Sequence, residues 1–188
     1  MKIRKIESMC KREKSVCVRN VIDADGVTTQ WIGITSAIFP LIGMPMMDSR
    51  QLFTILNIPS DKAKDYQYDE KTIMEEDSGF QYFKEIPEEG ITGIELCQLM
   101  IQISMINTWT IFKKPDNTFI FTNESFLKPI EQLELPRFFL RGDFIVCKTG
   151  MLNAGVIGRL VINPEDDVIQ GLKKIVNNVS GENQEETK

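Results

Sequence analysis

The sequence predicts an α+β fold in which antiparallel β-hairpins pack with three to four helices. Runs rich in β-branched and aromatic residues are joined by short turns, as in "SVCVRNVI", "DADG" and "VTTQWIGI". Helix start signals precede apolar periodic runs elsewhere in the chain. The 188 residues are 42% hydrophobic and 26% charged, which is typical of an ordinary globular protein.

The first predicted element is a short amphipathic helix over residues 2–13. Its apolar residues recur at helical spacing and have lysines and arginines between them. Residues 1–19 hold seven bases and two acids, whereas the whole chain has a net charge of -5. A solvated helix face would show the same pattern as a binding face. The candidate contacts to nucleic acid or to a protein partner are Lys2, Lys5, Lys11, Arg12 and Lys14.

The uncharged run "WIGITSAIFPLIGMPMM", Trp31–Met47, follows the first hairpin and begins as its second strand. Residues 26–47 contain 22 uncharged residues, nominally long enough to span a membrane. However, the prolines and the glycine of "PLIGMP" would interrupt a helix. We therefore expect core rather than a membrane span, with a strand that ends near Phe39 and turns after it.

Three further helices are predicted from their start signals. Asp48 as N-cap, with Gln51 three residues later, opens a short helix that stops at the proline of "LNIP". Thr92 and Glu95 form a T-x-x-E capping box, and "LCQLMIQISMI" after them indicates a mostly apolar, buried helix over residues 92–106. The run "NPEDDVIQGLKKIVNNV" is typical of a final helix.

Two more strand pairs are predicted in the second half of the chain. The runs "TWTIFKK" and "TFIFTN" flank the turn "PDN" and form a hairpin. The runs "DFIVCK" and "NAGVIGRLVI" are strands joined through Gly150, and "SFLKPIEQLELP" before them is helical or irregular.

These elements divide the chain into four predicted segments. They are an N-terminal helix–hairpin–helix half, an acidic flexible connector, a C-terminal α+β half and a disordered tail, over residues 1–59, 60–90, 91–180 and 181–188. A faint similarity between "AIFPLIG" and "SFLKPIE" leaves open whether the two halves are a repeat.

The connector contains an acidic block over residues 69–89, with eight acids and two lysines. Its charge is opposite to that of the N-terminal helix, which suggests electrostatic pairing between subunits. A solvated acidic loop is the simpler alternative. The candidate partner surface consists of Asp69, Glu70, Glu75, Glu76 and Asp77.

Several chemistries are excluded or disfavoured by composition. The chain has no histidine, so Ser-His-Asp catalysis, Cys-His catalysis and histidine-ligated metals are excluded within one chain. Its four cysteines are scattered and form no C-x-x-C pair, which predicts free thiols in a reducing cytoplasm. We identify no catalytic, cofactor-binding or metal-ligating residue, no cofactor and no secretory signal, and we expect a protein that is not an enzyme.

The stretch "DGVTTQWIGITSAIFPLIGMP", with the following "LFTILNI", resembles small uncharacterised proteins encoded in bacterial prophages. Those proteins carry a similar aspartate–glycine turn, a Q-W-[IL]-G strand and an aromatic–proline–leucine step that leads to a short helix. The resemblance covers residues 15–58. It implies a phage or mobile-element setting in a bacterial cytoplasm, and it brings no site residues.

The function expected from the sequence is a non-catalytic binding or assembly module that self-associates and binds a protein partner. The alternative is a nucleic-acid-associated accessory factor, clamp-like in form, that uses the basic N-terminal helix. A pI near 5.0 and the lack of RNP, KH and zinc-finger patterns favour the first function. We expect no membrane partner.

Overall fold

The computed structural model of the chain describes residues 2–77, 80–84, 93–104, 107–116, 118–160 and 171. These residues form a mostly β fold with a seven-stranded sheet and a three-stranded sheet. The prediction of an α+β fold with three to four helices is therefore wrong, because most of the described chain is in strands. Apart from residue 171, the predicted final helix lies outside the described residues, as does the tail.

The described residues contain two α-helices whose bounds are defined, α1 (Ile3–Glu13) and α2 (Ser49–Ile55). The strands are β1 (Ser15–Ile22), β2 (Thr28–Ile34), β3 (Ala37–Pro40), β4 (Gln67–Met74), β5 (Glu95–Ser104), β6 (Asn107–Lys113), β7 (Phe119–Asn123), β8 (Arg137–Arg141), β9 (Phe144–Thr149) and β10 (Leu152–Gly158). In this part of the chain, no helix is long and apolar enough to cross a membrane.

The larger sheet has the strand order β4-β1-β2-β3-β10-β9-β8, and β5, β6 and β7 form the smaller one. All pairs are antiparallel except β4 with β1, which run parallel from Ser15 beside Gln67 to Ile22 beside Met74. The large sheet thus joins strands from both sides of the predicted connector, and β4 lies within that connector's residues.

The first hairpin, β1 with β2, confirms the prediction from the aspartate–glycine turn. Asp23 Oδ1 accepts hydrogen bonds from the backbone N–H groups of Asp25, at 3.0 Å, and Val27, at 2.8 Å. Gly26 has a φ of +79°, a conformation that glycine adopts without steric cost. The turn is therefore stabilised by its own side chain and by one glycine.

The strand predicted to continue to Phe39 is instead two strands. The chain reverses between Ile34 and Ala37, which lie opposite each other, and β3 pairs antiparallel with β2. A Cβ on Gly33 would lie 2.1 Å from the carbonyl oxygen of Ala37, so this close approach requires glycine. The reversal keeps the apolar run within the core of one sheet.

The predicted helix over residues 92–106 is wrong, because Glu95–Ser104 forms strand β5. This strand pairs with β6, with register shifts between Leu96 and Met100 and again before the end of the strand. An apolar run of this length is compatible with either a helix or a buried strand by periodicity alone. Pairing with β6 provides partners for backbone groups along one side of β5 and decides between the two.

Side chains alternate between the two faces of the large sheet and divide its core into two clusters. The first cluster contains the buried residues of α1 and confirms the predicted amphipathic helix, with Ile6, Met9 and Cys10 below 3% exposed. The second cluster consists of Cys17, Val21, Trp31, Ile38, Ile73, Phe83, Val146 and Val156.

Candidate functional site

The basic residues predicted to contact a partner lie on or beside α1, but several have acidic neighbours within the fold. Lys2, Lys11 and Arg12 form ion pairs with nearby glutamates, at nitrogen–oxygen distances of 2.6, 2.7 and 2.9 Å. Lys5 is exposed, and Lys14 caps the helix with a φ of 46°. Since surface ion pairs of this kind are weak, they do not prevent these residues from contacting a partner molecule. They do reduce the net positive field of the helix.

Two of the predicted acidic residues attach strand β4 to strand β1. Asp69 Oδ2 accepts a hydrogen bond from Arg19 Nη2 at 2.5 Å. Glu70 Oε1 accepts one from Asn20 Nδ2 at 2.9 Å, and its Oε2 accepts one from the Tyr68 hydroxyl at 2.7 Å. Both carboxylates therefore have a structural role at this sheet edge.

The other three predicted acids follow β4. Asp77 accepts a hydrogen bond from the backbone N–H of Met74 at 3.2 Å, and Glu76 is exposed. Glu75 lines a groove together with Asp23 and Asp25 of the first turn. The structure thus brings one predicted acid beside two carboxylates that the sequence interpretation did not include.

This groove has a volume of about 500 Å³ and lies at one end of the large sheet. The end of β1, the start of β2, the end of β3 and the start of β10 meet there. Trp31, 4% exposed, contributes to its lining and packs edge to face with Phe83 at a centroid distance of 4.9 Å. Two aromatic rings thus give the groove a rigid apolar base.

Four partly exposed apolar side chains line the same groove. Ile42, Met44 and Met46 are 58%, 42% and 49% exposed, and Leu152 of β10 is 47% exposed. Single exposed apolar residues are normal, but a group that lines one concavity indicates an interaction site. The prediction that the whole run Trp31–Met47 is core is therefore wrong for residues 42–46, which are exposed, whereas Met47 packs against the first core cluster.

Gln30 holds the methionine-bearing segment against the sheet. Its Oε1 accepts a hydrogen bond from the backbone N–H of Met47 at 3.1 Å, and its Nε2 donates to the carbonyl oxygen of Met47 at 3.0 Å. Its backbone carbonyl also accepts a hydrogen bond from Leu41 N at 2.8 Å. Gln30 is 4% exposed, so these bonds are protected from water, and the groove wall is anchored at both ends.

Asn153 is, with Gln30, one of the buried polar residues that line the groove. It is 2% exposed, and its Nδ2 donates to the carbonyl oxygens of Phe83 at 2.8 Å and Lys84 at 3.2 Å. Its Oδ1 has no hydrogen-bond partner among the residues that the structure describes. A buried acceptor left without a donor costs about 1–3 kcal/mol, so this atom would gain from a donor supplied by a ligand.

The groove has an acidic lining. Asp23, Asp25 and Glu75 contribute carboxylates, and no described lysine or arginine lines it. Asp23 also stabilises the first turn through its Oδ1. The arrangement is suited to a ligand that combines an apolar group with a positive charge.

Nucleophilic and metal chemistry have little support among the described residues. Burial raises the pKa of Cys10 and of Cys147 to about 12, so both thiols remain protonated at neutral pH and are weak nucleophiles. Within the described ranges, no group of three or more cysteine, aspartate or glutamate residues is arranged to hold a metal ion.

Sequence interpretation missed this groove. Its signal was the segment "IGMPMM", in which proline and glycine prevent a regular strand while every side chain remains uncharged. Comparison with protein-family models, curated proteins and solved structures finds no match to this chain.

Proposed function

We propose that this protein is a non-catalytic binding module that docks a segment of a protein partner in the groove at the end of the large sheet. One observation carries the proposal: Ile42, Met44, Met46 and Leu152 all expose apolar surface to one concavity. Methionine side chains are flexible and polarizable, and they are common on surfaces that bind peptides. A rigid aromatic base with an adjustable methionine wall suits an apolar side chain of a partner.

The partner segment in this proposal carries an apolar residue flanked by lysine or arginine. The acidic lining attracts positive charge and disfavours acidic segments. The basic helix α1 of a second copy is a poor occupant, because its apolar residues Ile6, Met9 and Cys10 are already buried in its own core. The resemblance over residues 15–58 supports a phage or mobile-element setting in a bacterial cytoplasm.

The test is a selection from a displayed library of random twelve-residue peptides on the wild-type protein. We expect the enriched peptides to combine an apolar residue with lysine or arginine. Their affinity, measured by fluorescence anisotropy, should fall about tenfold or more in the Met44→Glu variant, because a carboxylate would replace apolar surface. It should also fall at high salt, which screens the acidic lining.

The matched control is Met151→Glu. Met151 is 61% exposed, against 42% for Met44, so this variant adds the same charge to an exposed methionine that does not line the groove. Its affinity for the selected peptides should stay within about twofold of wild type. Peptides that bind both variants equally, or a selection that enriches no basic apolar sequence, would overturn the proposal.

The nucleic-acid alternative has a separate readout. A salt-sensitive complex with mixed DNA and RNA, lost when Lys5, Lys11 and Arg12 are reversed in charge and unaffected by Met44→Glu, would favour it. We rank it second, because Lys11 and Arg12 already pair with glutamates of the same helix.

A further inference from the structure

We propose that Asn153 is the hydrogen-bonding position of the groove, where its Oδ1 accepts a hydrogen bond from a backbone N–H of the docked peptide. This inference rests on the proposed function, because it assigns one ligand contact to the same groove. It adds a requirement that apolar surface and charge do not impose, namely a neutral donor at a fixed place.

The amide group of Asn153 is held in one orientation. Both hydrogen bonds from Nδ2 go to backbone carbonyl oxygens, those of Phe83 and Lys84. Oxygen and nitrogen cannot exchange places without aligning the amide oxygen with those carbonyls, so Oδ1 stays the acceptor that those bonds do not use. Its lack of a partner therefore follows from how the side chain is held.

The chemistry of the surroundings favours a neutral donor. An ammonium or guanidinium group is better satisfied by the carboxylates of Asp25 and Glu75, which line the same groove. The neutral amide oxygen of Asn153 is left for a neutral N–H, and a peptide backbone supplies one at nearly every residue.

The Oδ1 atom is covered in the free protein, so docking must shift a side chain of the groove. Met44 and Leu152 are each more than two-fifths exposed, and methionine changes rotamer at low cost. The groove therefore contains side chains that are able to move aside for an incoming donor.

The experiment compares two small probes that differ in one group. N-butylacetamide carries an apolar chain and an amide N–H, and 2-heptanone replaces that N–H by CH₂. Each is titrated into ¹⁵N-labelled full-length protein, and dissociation constants are read from the Trp31 indole N–H signal. We define the preference as the dissociation constant of the ketone divided by that of the amide.

We expect the preference to fall about fivefold in Asn153→Leu, the change that loss of one net hydrogen bond produces. In Asn153→Asp, which keeps an acceptor but loses the Nδ2 donors, we expect the preference to be retained. A merely structural role of Asn153 in holding Phe83 and Lys84 would make both variants lose it. Thermal unfolding of each variant shows whether it is folded.

The control is Thr110→Val. Thr110 Oγ1 is the other buried side-chain atom without a partner among the described residues, and it lies in β6 of the smaller sheet. Its removal should leave the preference unchanged. If both probes shift the Trp31 signal but the preference is the same in wild type and Asn153→Leu, the groove binds ligands and the proposed hydrogen bond to Asn153 is wrong. If neither probe shifts that signal, the groove and the inference both fail.

Discussion

At the scale of single residues, the cysteines show how burial determines the protonation state of a thiol. Cys10, Cys17 and Cys147 are buried and free, which confirms the prediction of free thiols for these three. The thiol of Cys10 donates a hydrogen bond to the carbonyl oxygen of Gly33 at 3.3 Å, which favours the protonated form. The side chain of Cys97 lies outside the described part of the structure.

We predict that the free energy of unfolding falls as pH rises above the ordinary thiol pKa of 9.0. Between 9.0 and about 12, Cys10 and Cys147 stay protonated in the folded state but ionise when unfolded. The unfolded state then binds fewer protons, so stability decreases with pH, by about 1 kcal/mol per thiol from pH 9 to pH 10.

Urea unfolding of a Cys97→Ser protein at several pH values measures this loss. Cys10→Ala with Cys147→Ala, in the same background, is the control for lysines and tyrosines that titrate in the same range. The double variant should lose less stability between pH 9 and pH 10. Identical slopes in the two proteins would show that these thiols are not protected by burial.

At the scale of elements, signals that act within a few residues predicted the structure well. Helix α1 and the hairpins of β1 with β2, β6 with β7 and β9 with β10 are confirmed. The sequence does not predict strands β4 and β8. Both are edge strands: β4 has consecutive charged residues in its interior, and β8 is short with an arginine at each end. The apolar run of β5 predicts a helix, and that prediction is wrong because the partner strand, rather than the periodicity of the run, determines its conformation.

The capping box of α2 gives a prediction at this scale. Asp48 Oδ1 accepts a hydrogen bond from Gln51 N at 2.8 Å, and Gln51 Oε1 accepts one from Asp48 N at 2.9 Å. Asp48→Ala should lower the free energy of unfolding in urea by about 1 kcal/mol, because the backbone N–H of Gln51 loses its acceptor.

Asp48→Asn is the matched variant, since its amide oxygen still accepts from Gln51 N, and it should retain most of the stability. The exposed Arg50→Ala change in the same helix should stay within about 0.5 kcal/mol of wild type. Equal stability of Asp48→Ala and wild type would mean that packing of the buried Leu52, rather than the cap, holds this helix.

At the scale of the whole molecule, charge is divided between the basic helix α1 and the acids around β4 and the groove. The large sheet carries both groups, since α1 packs on its first core cluster and β4 is its edge strand. Many of these charges already have partners within the molecule, such as Asp69 with Arg19 and Lys2 with Glu131. Any pairing between copies must therefore use the charges that remain exposed, such as Lys5 and Glu76.

We predict that self-association through these charges is sensitive to salt. Sedimentation should give a mass above that of the 21.5 kDa chain at about 0.05 M salt and a lower mass at about 0.5 M, where the screening length is only a few ångströms. Lys5→Glu with Lys14→Glu should lower the mass at low salt. The same mass at both salt concentrations would contradict electrostatic pairing.

The sequence by itself determined those elements that depend on residues close in the chain, and it excluded chemistry that requires histidine. The aspartate–glycine turn, the Asp48 capping box and the amphipathic α1 each depend on residues close in the chain, and the absence of histidine needs no structure. Tertiary structure alone decided the parallel pairing of β4 with β1, the strand state of β5 and the groove. The physical reason is distance along the chain: Met44 and Asn153 line one groove only because β3 and β10 are neighbours in the sheet, and no local pattern specifies that pairing.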